Sequence, residues 1–227
     1  MREVSPDVRY SVEQVLEHHA SQNDKALVED IRQQKLAGTR PLPSASLIDQ
    51  SLQLDAATRA ALIDKIAQLA DESMYGRSEM GIEINTLLVH ALDKLGVKSR
   101  LAVGNAMYFA EGIEIFRWPY IWVRAGKEIL DVNIDVSREH PDFPKYLELK
   151  PYWGPAQFVP RDRKLHEDKM VHYMADDLEK HTVMWWKDLD AWMKENIVGK
   201  RLKMQPQDAP KEAQAEVAPA SQSLPQS

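Results

Sequence analysis

The sequence predicts an α+β fold: a helix packed on a small antiparallel sheet, with N-terminal helices before it and a long C-terminal helical segment after it. Three observations predict it. Ile84, Leu87, Leu88, Ala91, Leu92 and Leu95 recur at i, i+3, i+4, i+7 spacing, one continuous apolar stripe that places a helix over 83–95. Gly96 follows where a helix C-terminus favours a left-handed residue. Residues 98–103, 118–124 and 127–132 then read as strands, the last two joined by a turn at Ala125-Gly126-Lys127.

The chain divides by pattern into an N-terminal helical region (1–40), a core (41–163), a C-terminal helical segment (164–200) and a disordered tail (201–227). In the first region Ser11 is placed to cap a helix carrying Val12, Val15 and Leu16, continued after a break by Leu27, Val28 and Ile31. Residues 38–44, with Gly38, Pro41 and Pro43, form a linker. Asp55 is the expected N-cap of a helix reaching about residue 73, with Leu62, Ile63, Ile66, Leu69 and Ala70 on one face. Residues 105–117 read as edge-strand material about a turn at Glu111-Gly112. The proline- and aromatic-rich stretch 137–163 reads as a loop that wraps the domain and buries aromatic anchors, with a rim over a cleft as the alternative. Residues 164–198 read as helix broken at most once, stopped by Gly199. Trp185, Trp186 and Trp192, with Met170, Met174, Met184 and Met193, make that segment rich in large adaptable side chains, suited to core packing or to a partner surface. From Met204 on, Gln, Pro, Ala and Ser replace large apolar residues, too few to offset the entropy of ordering.

Composition excludes several functions. Of 227 residues 44% are hydrophobic and 28% charged, ordinary for a globular chain. A net charge of −6 argues against a general nucleic-acid binder. Zero cysteines exclude disulfides and thiolate metal sites. His18 and His19 are adjacent on a helix, and His166, His172 and His181 are six and nine apart, so neither set has helical metal-pair spacing and no metal or cofactor is expected. No N-terminal apolar run and no uncharged stretch of spanning length appear, so the expectation is a cytoplasmic chain with no membrane partner.

The order helix, strand, strand, strand carries a resemblance. Arg77-Ser78-Glu79-Met80-Gly81-Ile82-Glu83-Ile84-Asn85 is similar to the Arg-Gly-Gly-x-Cys-x-Glu-x-Asn segment of arylamine N-acetyltransferases, with Arg77, Glu83 and Asn85 on matching positions. Leu95, Gly96 and Arg100 match the "LGIPAR" segment of transglutaminase-like proteins. Tyr120-Ile121-Trp122-Val123 resembles their His-Ala-Trp-Val segment, and Asp131 keeps the third catalytic position. Residues 55–135 thus resemble the core of the papain-like superfamily. There a Cys opens the helix, a His lies on the second strand and an Asp on the third.

The resemblance implies the scaffold without the chemistry. Gly81 stands at the nucleophile position and has nothing to attack with. Tyr120 stands at the base position, and a phenol of reference pKa about 10 is a poor base near neutrality. Asp131 has no imidazole to orient.

Three functions follow as alternatives. The first is a non-catalytic transglutaminase-like module that binds a protein, peptide or small ligand, with Arg77, Glu83, Asn85, Trp118 and Trp122 as candidate ligand contacts. A second is an enzyme with replaced chemistry, in which Glu83, Asp131, Tyr120 and Arg77 converge. The third is an interaction protein whose surface is Trp185, Trp186 and Trp192. An open pocket around 81, 120 and 131 favours the first two, and a plugged one favours the third.

Overall fold

The computed structural model describes residues 30–31, 33–34, 37–72, 77, 80–140, 142–144, 146–171, 175–182 and 184–198. The expected helix before residue 30, His18, His19, His172, Met174, Gly199 and the tail 201–227 lie outside them, as do the side chains of Met170 and its neighbours. Residues 30, 31, 33, 34 and 37 are helical.

The architecture is α+β with a six-stranded mixed sheet in the order β1-β5-β4-β3-β2-β6. Helix α1 (Ala56–Asp71) starts at Asp55, whose carboxylate accepts from the Thr58 amide at 2.7 Å. Helix α2 (Gly81–Lys94) ends in a Schellman turn. Gly96 has φ +76°, its amide donates to Asp93 O, and the Val97 amide donates to Leu92 O. Strands β2 (Arg100–Ala110) and β3 (Ile113–Ala125) form one long hairpin, and β4 (Glu128–Asp131) turns back at Gly126. The main core lies where α1, α2 and the C-terminal helices cover one sheet face, with Leu62, Leu87, Leu88, Leu92, Val123 and Leu130 fully buried. Each such leucine contributes about 1.5–3 kcal/mol by leaving water. The opposite face packs Ala102, Trp122, Ile129 and Tyr152, and further along Tyr108 and Phe143.

Three sequence readings are corrected: the extent of the sheet, residues 105–117 and residues 163–171. The sheet is larger than expected and not purely antiparallel: β1 (Ile48–Asp49) pairs parallel with β5 (Tyr152–Pro155), which lies inside the stretch read as loop. Residues 105–117 are not separate edge material but the continuation of β2 and β3, closed by Glu111 and Gly112, both at positive φ. Gly104 and Pro119 look like breakers, and each has a local reason. A Cβ on Gly104 would lie against the His166 carbonyl of the neighbouring strand, so only glycine admits that approach. At Pro119 β3 has a neighbour on the β2 side only, since β4 pairs with Val123, Arg124 and Ala125 alone; proline tolerates that edge-like setting.

Residues 163–171 form β6 (Arg163–Val171), antiparallel to β2, where helix was expected from 164. The sheet therefore runs through the boundary drawn at 163/164. The charges of Lys164, Glu167 and Asp168 read as a helix surface, but charged residues are also how an exposed edge strand resists pairing with other chains. Helix character resumes in α3 (Ala175–Thr182) and α4 (Trp185–Met193), which a π-helical turn continues over Lys194–Val198.

Candidate functional site

The site grows from the start of α2. Met80 is the N-cap residue and its side chain caps none of the first-turn amides, which also have no capping side chain among the described residues. Asn85, one turn in, donates to Gly81 O at 2.7 Å and to Ile121 O at 3.3 Å, tying the helix start to β3. Its Oδ1 is buried and has no hydrogen-bond partner among the described residues.

A cavity of about 460 Å³ opens there. Gly81, Ile82 and Asn85 line one side, Trp118, Pro119, Tyr120 and Ile121 a second, and Asn133, Ser137 and His140 a third. Among the described residues, none that lines it is Asp, Glu, Lys or Arg. Trp118 stacks on Tyr120 at 6.0 Å, Tyr120 on Trp122 at 6.4 Å, and the His140 ring meets Trp118 edge-on at 5.0 Å.

Behind this wall lies a buried polar triad. The Tyr120 hydroxyl donates to Asp131 Oδ1 at 2.8 Å, and Arg163 Nη1 donates to Asp131 Oδ2 at 2.6 Å. Arg163 also donates to Asp162 Oδ1 at 2.8 Å and to Lys150 O at 2.9 Å. Asp131 is 1% exposed. Burial, and then the Asp131 charge, hold the Tyr120 phenol well above its ordinary pKa. Burial alone would lower Arg163, but Asp131 and Asp162 together raise it. Tyr120 is thus fixed as a protonated donor, and both oxygens of Asp131 are engaged. Neither is available as a general base.

The structure brings Gly81 and Tyr120 to one cavity and bonds Tyr120 to Asp131. Strand alternation adds a detail: Ile121 faces the helix, and its Cγ2 lies 3.4 Å from where a Cβ on Gly81 would sit. Of the candidate ligand contacts, Asn85 and Trp118 line the cavity. Trp122 is 1% exposed within the far-face core. Glu83 is half-buried in the first turn of α2, where its charge suits the helix dipole, and does not reach the cavity. Arg77 is 1% exposed and bound elsewhere, to Asp135 at 2.9 Å, Asp71 at 3.1 Å and Pro41 O at 3.1 Å. That network also joins Arg40 to Asp71 and Glu139 and locks α1, the segment before α2 and the short 3-10 helix Ile134–Glu139 together. The four groups of the replaced-chemistry reading therefore do not converge.

Trp185, Trp186 and Trp192 pack partly buried against the main core. Trp186 meets His90 edge-on, and His90 Nε2 lies 2.7 Å from Asp190. Met184 beside them is 53% exposed.

Asn133, Ser137, His140 and Arg163 are absent from the sequence-derived candidates. Arg163 had one available signal: a buried Asp131 needs a cation, and a nearby strand is the place to find it. The other three stand on a turn whose path depends on tertiary packing. Among the described residues no cluster of His, Asp or Glu has the makings of a metal site, and no helix is long and apolar enough to cross a membrane. Comparisons with family models, curated proteins and solved structures find no match.

Proposed function

We propose that this chain is a non-catalytic, transglutaminase-like binding module whose α2-terminal cavity holds a peptide segment or small neutral molecule without turning it over. The observation that carries this reading is the pairing of an open, uncharged cavity with a catalytic position that is glycine and a polar triad whose groups are all engaged. An uncapped helix start offers amide donors, and Trp118 offers an aromatic wall, so a ligand carbonyl on an apolar body suits both. The open cavity also favours this reading over one centred on Trp185, Trp186 and Trp192, which are largely occupied by the core.

The test is a thermal-shift and calorimetric screen of neutral aromatic amides and short uncharged peptides against the full chain. A hit should lose about tenfold or more in affinity in Trp118→Ala and in the cavity-filling Gly81→Phe. Hits indifferent to both substitutions, or measurable turnover of any hit, would contradict the reading.

A further inference from the structure

A second cavity, of about 730 Å³, lies where the turn after β5 passes beside β6 and the far end of the β2–β3 hairpin. This size falls in the range of roughly 300–1,000 Å³ common for small-ligand sites. Its walls are mainly apolar, with Phe109, Ile129, Val159 and Leu165 among them. Its charged lining among the described residues is of one sign: Arg124, Arg161, Arg163 and Lys164 contribute, and no Asp or Glu does. On a chain of net charge −6 this is a local reversal.

The cations differ in availability. Arg163 is fixed on Asp131 and Asp162. Arg124 lies 3.8 Å from Glu167, which Arg100 engages more closely. Arg161 and Lys164 are exposed and make no ion pair among the described residues. Lys164 Nζ sits over the Phe109 ring, 5.0 Å from its centre, so the ammonium stands at the apolar wall of the cavity.

We propose that this cavity is a binding site for a single-chain anionic amphiphile: the chain lies on the apolar wall, and a carboxylate or phosphate head meets Arg161 and Lys164. A nucleic acid needs an extended basic surface, and a bilayer meets a convex one. A concave apolar site with two exposed cations, neither in an ion pair among the described residues, fits a monomeric amphiphile instead. This site is independent of the α2 cavity and of the function proposed for it.

The experiment is calorimetric titration of the full chain with monomeric dodecanoate at about 0.15 M salt, where long-range charge effects are already screened. Dodecyltrimethylammonium and phosphatidylglycerol vesicles serve as the other arms. Dodecanoate should bind saturably, and the cationic amphiphile about tenfold or more weakly. Arg161→Glu with Lys164→Glu, or the neutral pair Arg161→Gln with Lys164→Gln, should weaken dodecanoate by about tenfold or more, while Arg161→Lys with Lys164→Arg retains binding and Trp118→Ala leaves it unchanged. Equal binding of both head-group charges, or indifference to charge reversal, would overturn the proposal. Vesicle binding without uptake of monomeric dodecanoate would overturn it too and mark a membrane contact instead.

Discussion

The two sides of β3 hold the same kinds of group in opposite states. On one side Tyr120, Asp131 and Arg163 are buried, and each hydrogen-bonds or pairs with the next. On the other, α2 begins at a glycine with no capping side chain, Asn85 keeps an unpartnered oxygen, and a cavity stands open. A polar interior with its bonds made specifies and holds a fold. Bonding capacity left unmade beside an opening is where a ligand gains most. Of Gly81, Tyr120 and Asp131, the last two are bonded into the buried network, and Gly81 stands at the open cavity.

Removing the cation of the closed side should have the largest effect. Arg163→Met leaves Asp131 buried without its counter-charge and should cost about 3–5 kcal/mol in urea unfolding. Adding Asp131→Leu to that variant should restore part of the loss, because no charge then remains stranded. A cost below about 1 kcal/mol for Arg163→Met would mean that water reaches the triad.

Tyr120→Phe comes next. It deletes a hydrogen bond to a charged acceptor, worth about 2 kcal/mol. The same residue sets a pH dependence. Burial raises Tyr120 and Tyr108, and burial with the Glu128 charge pushes Tyr152 up to about 12. Unfolded tyrosines ionise near pH 10, so above about pH 10 the unfolded state binds fewer protons than the folded one and stability falls as pH rises. Ultraviolet titration should leave these three of the seven tyrosines protonated at about pH 11 in the folded chain and release them on unfolding. Tyr120→Phe should make the loss of stability above about pH 10 shallower.

On the open side, Gly81→Ala should do little to the fold. Gly81 is not at positive φ, and its added methyl meets Ile121 at ordinary contact distance. Stability should stay level or rise by up to about 1 kcal/mol, since alanine restricts the unfolded chain. A loss of more than that in a melting experiment would show that the helix start is packed tight rather than open.

What the sequence revealed follows the range of its signals. The α2 stripe, its Gly96 stop, the Asp55 cap and the turns at Glu111-Gly112 and Gly126 are local, and each stands where it was read. β6 was hidden because edge-strand charges mimic a helix surface, and β1 and β5 because each is short and pairs across about a hundred residues. At the site, Asn85 was singled out by its match to the acetyltransferase pattern and Trp118 as a candidate ligand contact, and both line the cavity. Arg77, singled out by its match to the same pattern, instead serves an ion network with Asp71 and Asp135 that only tertiary packing assembles.

The most direct test of an open, electropositive helix start is Gly81→Cys, which places the sole thiol in a chain that has none. Its alkylation by iodoacetamide, followed against pH, reports access and thiolate pKa together. An uncapped helix N-terminus beside an open cavity predicts ready reaction with a midpoint at or below about pH 7.5, against about 8.5 for a free cysteine. A thiol that stays unmodified in the folded chain, or one that titrates at about 8.5 or above, would contradict the account.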